Sequence, residues 1–443
     1  MSSKTKATAT KEEAIPALVP KLRFPGFREG EGWEYAPLGK LLMKSPDYGV
    51  NAAAVPFTER LPQYLRITDI SEDGTYLSAK KVSVDLEPTE QIYLDEGDIV
   101  LARTGASVGK SYRYRKEDGR LVFAGFLIRV KPNPKRLIST YLANFLTTEQ
   151  YWKWVAATSA RSGQPGINSV EYSALAIPLP IEFPEQQKIA ECLSSLDDLV
   201  AAQARKVDAL KTHKKGLMQQ LFPREGETQP RLRFPEFKSA DDWEEIELGQ
   251  RIAIKGRIGY RGYTVADIVG AGEGAISLSP SNITESGVLG FDKATYLTWN
   301  KYHESPEIMV ERGHTLLVKT GSTFGKVAYV WDLPRECTVN PQIVVLKPHS
   351  IHPYFLFLLV FGEAIQAKLR AVVVGGAIPT LSQESISKFK VRIPAHAEQE
   401  RIASCLSSLE VLITAESQKL VALQAHKKGL MQQLFPSPEE IEA

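Results

Sequence analysis

The chain runs to 443 residues, about three times the roughly 150 residues that serve as a prior for one domain, so a single small core is excluded. With 43% apolar and 24% charged residues it is composed as an ordinary globular protein, and 54 basic against 52 acidic side chains confine any nucleic-acid surface to local patches. Three cysteines, Cys192, Cys337 and Cys405, without a Cys-x-x-Cys pair, argue against a disulfide framework or a cysteine zinc site; no signal peptide or membrane-spanning run is legible, and a cytoplasmic setting is expected.

In chain order, residues 1–20 read as a flexible tail, with lysines and glutamates and no apolar stretch. Residues 21–183 form the first domain, opening on Leu22-Arg-Phe-Pro25 and Trp33 and rich in Gly, Pro and short β-type runs at 63–70, 98–102 and 121–130. At 184–223 the period changes to helical: Ile189, Leu193, Leu196, Val200, Val207, Leu210, Leu217 and Leu221 alternate steps of three and four, broken at Gln203 and Lys214. A polar linker, 224–230, leads into a second domain, 231–396, with β-type runs at 315–319 and 342–347. A second helix follows at 397–436, with Ile402, Leu406, Leu409, Ile413, Leu420, Leu423, Leu430 and Leu434 on its seam, broken at Glu416 and Lys427. Residues 437–443 are a C-terminal tail.

The chain is therefore written twice. His213-Lys-Lys-Gly-Leu-Met-Gln-Gln-Leu-Phe-Pro223 returns letter for letter at His426 to Pro436, an offset of 213; Leu22 to Pro25 returns at Leu232 to Pro235, and Thr104-Gly105 with Gly109-Lys110 returns as Thr320-Gly321 with Gly325-Lys326. Between these anchors 45–70 and 254–283 share no evident alignment, so constant frames carry different inserts. A 3.5-residue seam sustained over several heptads needs a helical partner, and the other copy supplies one. The expected fold is α+β: two β-rich globular domains in tandem pseudo-repeat, each followed by a long helix, the helices pairing as an antiparallel coiled coil. That pairing follows from the short linker feeding a whole domain at the far end of the first helix, and sets Cys192 near Met431 and Cys405 near Met218.

No catalytic constellation is evident. The Asn-Pro pairs, Asn133-Pro134 and Asn340-Pro341, lack the further proline and aromatic of a base methyltransferase loop, and no carboxylate cluster suits a metal nuclease. Thr104-Gly-Ala-Ser-Val-Gly-Lys-Ser111 misses a P-loop by its first residue, and its repeat lacks the magnesium-binding hydroxyl. His349 and His352 read as loop histidines. The positive signal is basic residues interleaved with aromatics and glycines. Arg103, Thr104, Lys110, Arg113 and Arg115 lie around the first Gly-Lys loop; Lys255, Arg257, Tyr260 and Arg261 form a second cluster; Lys319, Thr320 and Lys326 repeat the loop; and Arg161, Gln164 and Asn168 offer a cation and two amides able to pair with adenine. These are the DNA-binding candidates.

Two variable domains, each followed by a helix ending in His-Lys-Lys-Gly-Leu-Met-Gln-Gln-Leu-Phe-Pro, with Leu-Arg-Phe-Pro at each domain start and Glu185-Gln186 and Glu398-Gln399 at each helix start, resemble the specificity subunit of a type I restriction–modification enzyme. The resemblance implies a non-catalytic chain whose target recognition domains each read one half of a split DNA sequence across a gap fixed by the helices. It also implies partners: double-stranded DNA, two modification subunits that methylate adenine, and motor-nuclease restriction subunits. S-adenosylmethionine, ATP and magnesium would sit on those partners and none on this chain. The competing readings are a stand-alone DNA-binding or scaffold protein, and a phosphate-handling enzyme built on the Gly-Lys loops.

Overall fold

A computed structural model describes residues 18–86, 90–160, 164–257, 261–372 and 380–436. It divides into two compact units, 1–203 with 419–443 and 204–418, so each takes one globular domain and part of both long helices.

In the first unit the strands Trp33–Pro37 and Ala176–Pro180 pair antiparallel and close the domain's two ends on each other. Between them lie two four-stranded sheets. One runs Asp47–Tyr48, Leu127–Val130, Ile99–Ala102, Ser111–Arg113, all antiparallel; the other runs Ala54–Pro56, Val82–Val84, Gln63–Leu65, Leu121–Phe123, its last pair parallel. Helices Ser139–Phe145, Glu149–Ser159 and Ser169–Ala174 complete the unit. The run expected at 121–130 is thus two strands broken by a turn at 124–126. Leu18 is buried and bridges to Trp33, so the ordered domain begins before residue 21. Residues 1–17 of the expected tail, and the expected tail at 437–443, lie outside the described residues.

The second unit repeats this topology strand for strand. Glu244–Glu247 pairs with Lys390–Ile393; one sheet runs Ile252–Gly256, Ile343–Pro348, Thr315–Val318, Val327–Tyr329, and the other Ile268–Val269, Thr295–Leu297, Ala275–Leu278, Cys337–Val339. The inserts that share no alignment therefore share an order of strands.

The long helices span Phe183–Leu221 and His396–Leu434 and pair antiparallel. In the second unit Lys206 meets Glu416 at 2.5 Å and Lys214 meets Glu410, so one number rises as the other falls. In the first unit Lys427 meets Asp197 at 2.5 Å. Three of the four polar breaks in the seams, Lys214, Glu416 and Lys427, thus carry ion pairs across the helix pair. The fourth, Gln203, is buried.

The repeated motifs meet in one knot per unit. In the first, the Leu22 N–H donates to the Gln433 carbonyl at the end of the second long helix, while Arg23 forks onto Glu185 at the start of the first, Nε to Oε1 at 2.7 Å and Nη2 to Oε2 at 2.6 Å. In the second, Leu232 bonds the Gln220 carbonyl and Arg233 forks onto Glu398 at 2.8 and 2.7 Å. Each arginine also donates to two backbone carbonyls, Gly30 and Glu31 or Ala240 and Asp241, so both buried charges are paired and held by four hydrogen bonds each. The adjacent glutamines tie the helix starts to their domains: Gln186 accepts from the Ile138 N–H, and Gln399 from that of His352.

Candidate nucleic-acid interface

The Thr-Gly…Gly-Lys segment joins two antiparallel strands, Ile99–Ala102 and Ser111–Arg113, with a short 3-10 turn, Gly105–Ser107, between them. A P-loop needs a helix after its glycines, whose N-terminus would face the phosphate. A strand follows here, so the loop is a hairpin.

Its backbone is pinned on three sides. The Arg103 N–H donates to the Phe126 carbonyl at 3.0 Å, the Arg103 carbonyl accepts from the Ile167 N–H at 2.9 Å, and the Gly105 N–H donates to the Pro165 carbonyl at 3.0 Å. At the far end the Tyr151 hydroxyl donates to the Gly109 carbonyl at 2.7 Å. Burial pushes the Tyr151 hydroxyl well above the ordinary phenol range and keeps it a donor. Gly109 has φ +86°, and a Cβ there would lie 2.7 Å from Val155 Cγ1, so only glycine fits.

The second unit builds the same frame from other residues. Lys319 N–H bonds the Gln342 carbonyl at 2.8 Å, Leu381 N–H bonds the Lys319 carbonyl at 2.9 Å, and Thr320 bridges Thr380. Gln366 Nε2 replaces the tyrosine and donates to the Gly325 carbonyl at 3.0 Å.

The candidate residues divide on this geometry. Arg103, Thr104, Lys110 and Gln164 come together on the first hairpin: Thr104 bridges Gly166, and Gln164 Nε2 lies 3.2 Å from where a Cβ on Gly105 would stand. Lys319, Thr320 and Lys326 hold the same places on the second. The Arg103 guanidinium lies 4.8 Å over the ring of Tyr48, and its enclosed Nε has no hydrogen-bond acceptor among the described residues. Lys110 makes no ion pair among the described residues, whereas Lys326 meets Glu285 at 2.7 Å.

Most of the other candidates already have partners within the domain. Arg113 pairs with Glu96 at 3.6 Å and Arg115 with Asp118 at 3.2 Å. Arg257 is a structural group, not a surface contact: only 3% exposed, it donates to the Val339 and Arg261 carbonyls and to Thr338 Oγ1, and burial lowers its pKa. Arg261 bonds the Glu304 carbonyl and lies 3.6 Å from Glu307. Asn168 caps the helix Ser169–Ala174, its Oδ1 accepting from Val170 and Glu171 N–H groups, so its acceptor is committed locally. Lys255 is exposed on the strand Ile252–Gly256, opposite Val345. Arg161 and Tyr260 lie outside the described residues. The composition gave no sign of Tyr48, Phe126 and Gln342. The offset of 216 that superposes Thr104 on Thr320 also superposes Phe126 on Gln342, and could have found that pair.

Among the described residues no three His, Cys, Asp or Glu side chains gather as a metal site, and no helix is long and apolar enough to cross a membrane.

Comparison with known proteins agrees with this architecture. The model of the type I restriction modification DNA specificity domain matches residues 58–212 and 265–425, one match in each repeat. The chain is 22% identical over 427 residues to the type I restriction enzyme MjaVIII specificity subunit of Methanocaldococcus jannaschii, covering 93% of each chain, and 23% identical over 354 residues to the putative MjaX specificity subunit of that organism, covering 76% of this chain and 77% of that one. Its fold is similar to the crystal structure of a type I restriction–modification S subunit from M. genitalium, with a TM-score of 0.61 at 16% identity over 95% of this chain and all of that one. The chain belongs to the type I restriction–modification DNA specificity family, as a specificity subunit, the non-catalytic DNA-recognition member of such a system.

Proposed function

We propose that the two globular domains read the two unlike halves of an asymmetric bipartite DNA sequence, and that the helix pair sets the gap between them. One observation carries this reading: two hairpins with the same main-chain bonds and a cation at the same place, Arg103 or Lys319, stand beside different side chains, Gln164 by Gly105 in one and Thr380 by Thr320 in the other. A shared frame meets the regular phosphate backbone, and unlike side chains meet unlike base edges. In this reading double-stranded DNA and two modification subunits are the partners; those subunits methylate adenine with S-adenosylmethionine, and motor-nuclease subunits supply ATP- and magnesium-dependent cleavage. This chain binds none of those cofactors and works in the cytoplasm.

Sequencing of methylated bases in cells carrying the system tests the reading. The expected motif is split and non-palindromic; a perfect palindrome overturns it. Inserting seven residues near Gln203 and seven near Glu416 keeps both seams in phase and adds about 10 Å to each helix, so the gap should grow by about three base pairs. An unchanged gap removes the helices from that role. Copurification with a modification subunit separates this reading from a stand-alone DNA-binding protein.

A further inference from the structure

We propose that the turn residue at positions 126 and 342 is a base selector: the Phe126 ring takes the C5-methyl of a thymine in one half-site, and the Gln342 amide takes the N6/N7 edge of an adenine in the other. The inference rests on the reading of the hairpins as DNA readers and adds residues that charge alone does not reveal.

Both residues hold the same place. Each closes the turn between two strands, Leu121–Phe123 to Leu127–Val130 and Cys337–Val339 to Ile343–Pro348, with Leu127 N–H bonded to the Ala124 carbonyl at 2.8 Å and Ile343 N–H to that of Asn340 at 3.2 Å. Each gives its own carbonyl to the cationic residue of the hairpin, Arg103 or Lys319. The backbone at 126 and 342 is thereby locked beside a cation suited to phosphate, as a base-reading side chain requires.

What differs is the side chain. Phe126 is 57% exposed, a large ring left in water on a turn between two buried strands of different sheets. Such a ring suits the thymine methyl, an apolar group in the major groove. Gln342 offers a donor and an acceptor. Asn340 Nδ2 donates to its Oε1 at 3.2 Å, and its Nε2 lies 2.9 Å from where a Cβ on Gly321 would stand, so a side chain at 321 would displace it. Gly321 at φ +99° leaves that space open. An amide held in this way is oriented for the paired donor and acceptor of adenine.

The test uses the full complex with its modification subunits and methylation rates on duplexes carrying each single-base change. Phe126→Ala should relax one thymine position of one half-site on the order of ten- to a hundredfold and leave the other half-site unchanged. Replacing that thymine by deoxyuridine, which removes only the methyl, should slow the wild type by a similar factor and leave Phe126→Ala unaffected. Gln342→Ala should relax one adenine position of the opposite half-site, matched by 7-deazaadenine in the duplex. Unchanged preferences in both variants, relaxation of other bases, or equal relaxation of both half-sites overturns the proposal. Arg103→Ala with Lys110→Ala separates the two levels: if that pair weakens DNA binding while 126 and 342 do not alter preference, the selector falls and the reader stands; if neither set has an effect, both fall.

Discussion

The knots at the helix ends and the hairpins in the domains are both built twice, in different ways. In the knots side chains and backbone repeat together: Arg23 on Glu185 and Arg233 on Glu398 differ by 0.1 Å in each bond. In the hairpins the backbone repeats with Thr104, Gly105, Gly109 and Lys110 returning as Thr320, Gly321, Gly325 and Lys326, while the side chains packed around it differ. Tyr151 in one copy and Gln366 in the other reach the same glycine carbonyl, and Phe126 stands where Gln342 does. A buried ion pair depends on the identity of both partners, so it fixes its residues. A frame of main-chain bonds depends on none of the side chains it displays, so it leaves them free to vary. The chain thus separates what holds it together from what it presents.

The largest effect should come from the knot. Arg23→Ala leaves the Glu185 carboxylate buried without its partner and should cost about 3–5 kcal/mol of stability, seen as a lower midpoint in denaturant melts. Arg233→Ala should do the same through Glu398. Arg23→Met with Glu185→Leu should recover most of the loss, since no buried charge is left unpaired; failure to recover would point to the Gly30 and Glu31 carbonyls that Arg23 also holds as the stronger requirement.

Next in size is Arg257→Ala, which breaks three hydrogen bonds of a buried cation and should cost about 1.5–3 kcal/mol. It separates frame from reader, because the salt dependence of DNA binding should stay at the wild-type slope. Arg103→Ala with Lys110→Ala should give the reverse: little change in stability, and a salt slope shallower by about two units if each cation meets one phosphate. Lys319→Ala with Lys326→Ala should change it less, nearer one unit, because Lys326 already holds Glu285 and must release it to take a phosphate.

Much of this was legible in the sequence, and the exceptions have physical causes. The repeat and the two long helices could be read because identical letters and a 3.5 period lie in the sequence itself, and the antiparallel pairing because the short linker at 224–230 feeds a whole domain at the far end of the first helix. The break at 124–126 was hidden because buried strands read as continuous apolar runs, so Phe126 passed as one more strand residue. Among the cations, composition placed Arg103 and Lys110 where the hairpin has them. It could not separate them from Arg113 and Arg257, because the groups those side chains meet, Glu96 and Thr338, are set by the fold; Asp118, three residues after Arg115, was legible. Asn168 was decidable from sequence: an Asn followed three residues later by Glu171 is a capping box, and its amide holds a helix start.

The smallest effect is the sharpest test of the frame. Tyr151→Phe keeps the ring among Phe145, Trp152 and Trp154 and removes only the hydroxyl bonded to Gly109. The orphaned carbonyl should cost about 1 kcal/mol. The loss should appear as faster hydrogen exchange at the Lys110 and Gly109 amides, while the Phe variant still binds DNA within about tenfold of wild type, the factor that 1.4 kcal/mol represents. The pH dependence gives a second reading. Burial raises the Tyr151 pKa in the folded chain, so below about pH 10 the phenol is neutral in both states and adds no pH dependence. Above that pH the unfolded phenol ionises and the folded one does not, and wild-type stability falls as pH rises. Tyr151→Phe lacks that group, so its alkaline limb should be shallower than the wild type's. Equal limbs would mean that Tyr151 is solvated, and that the hairpin is held by its main-chain bonds alone.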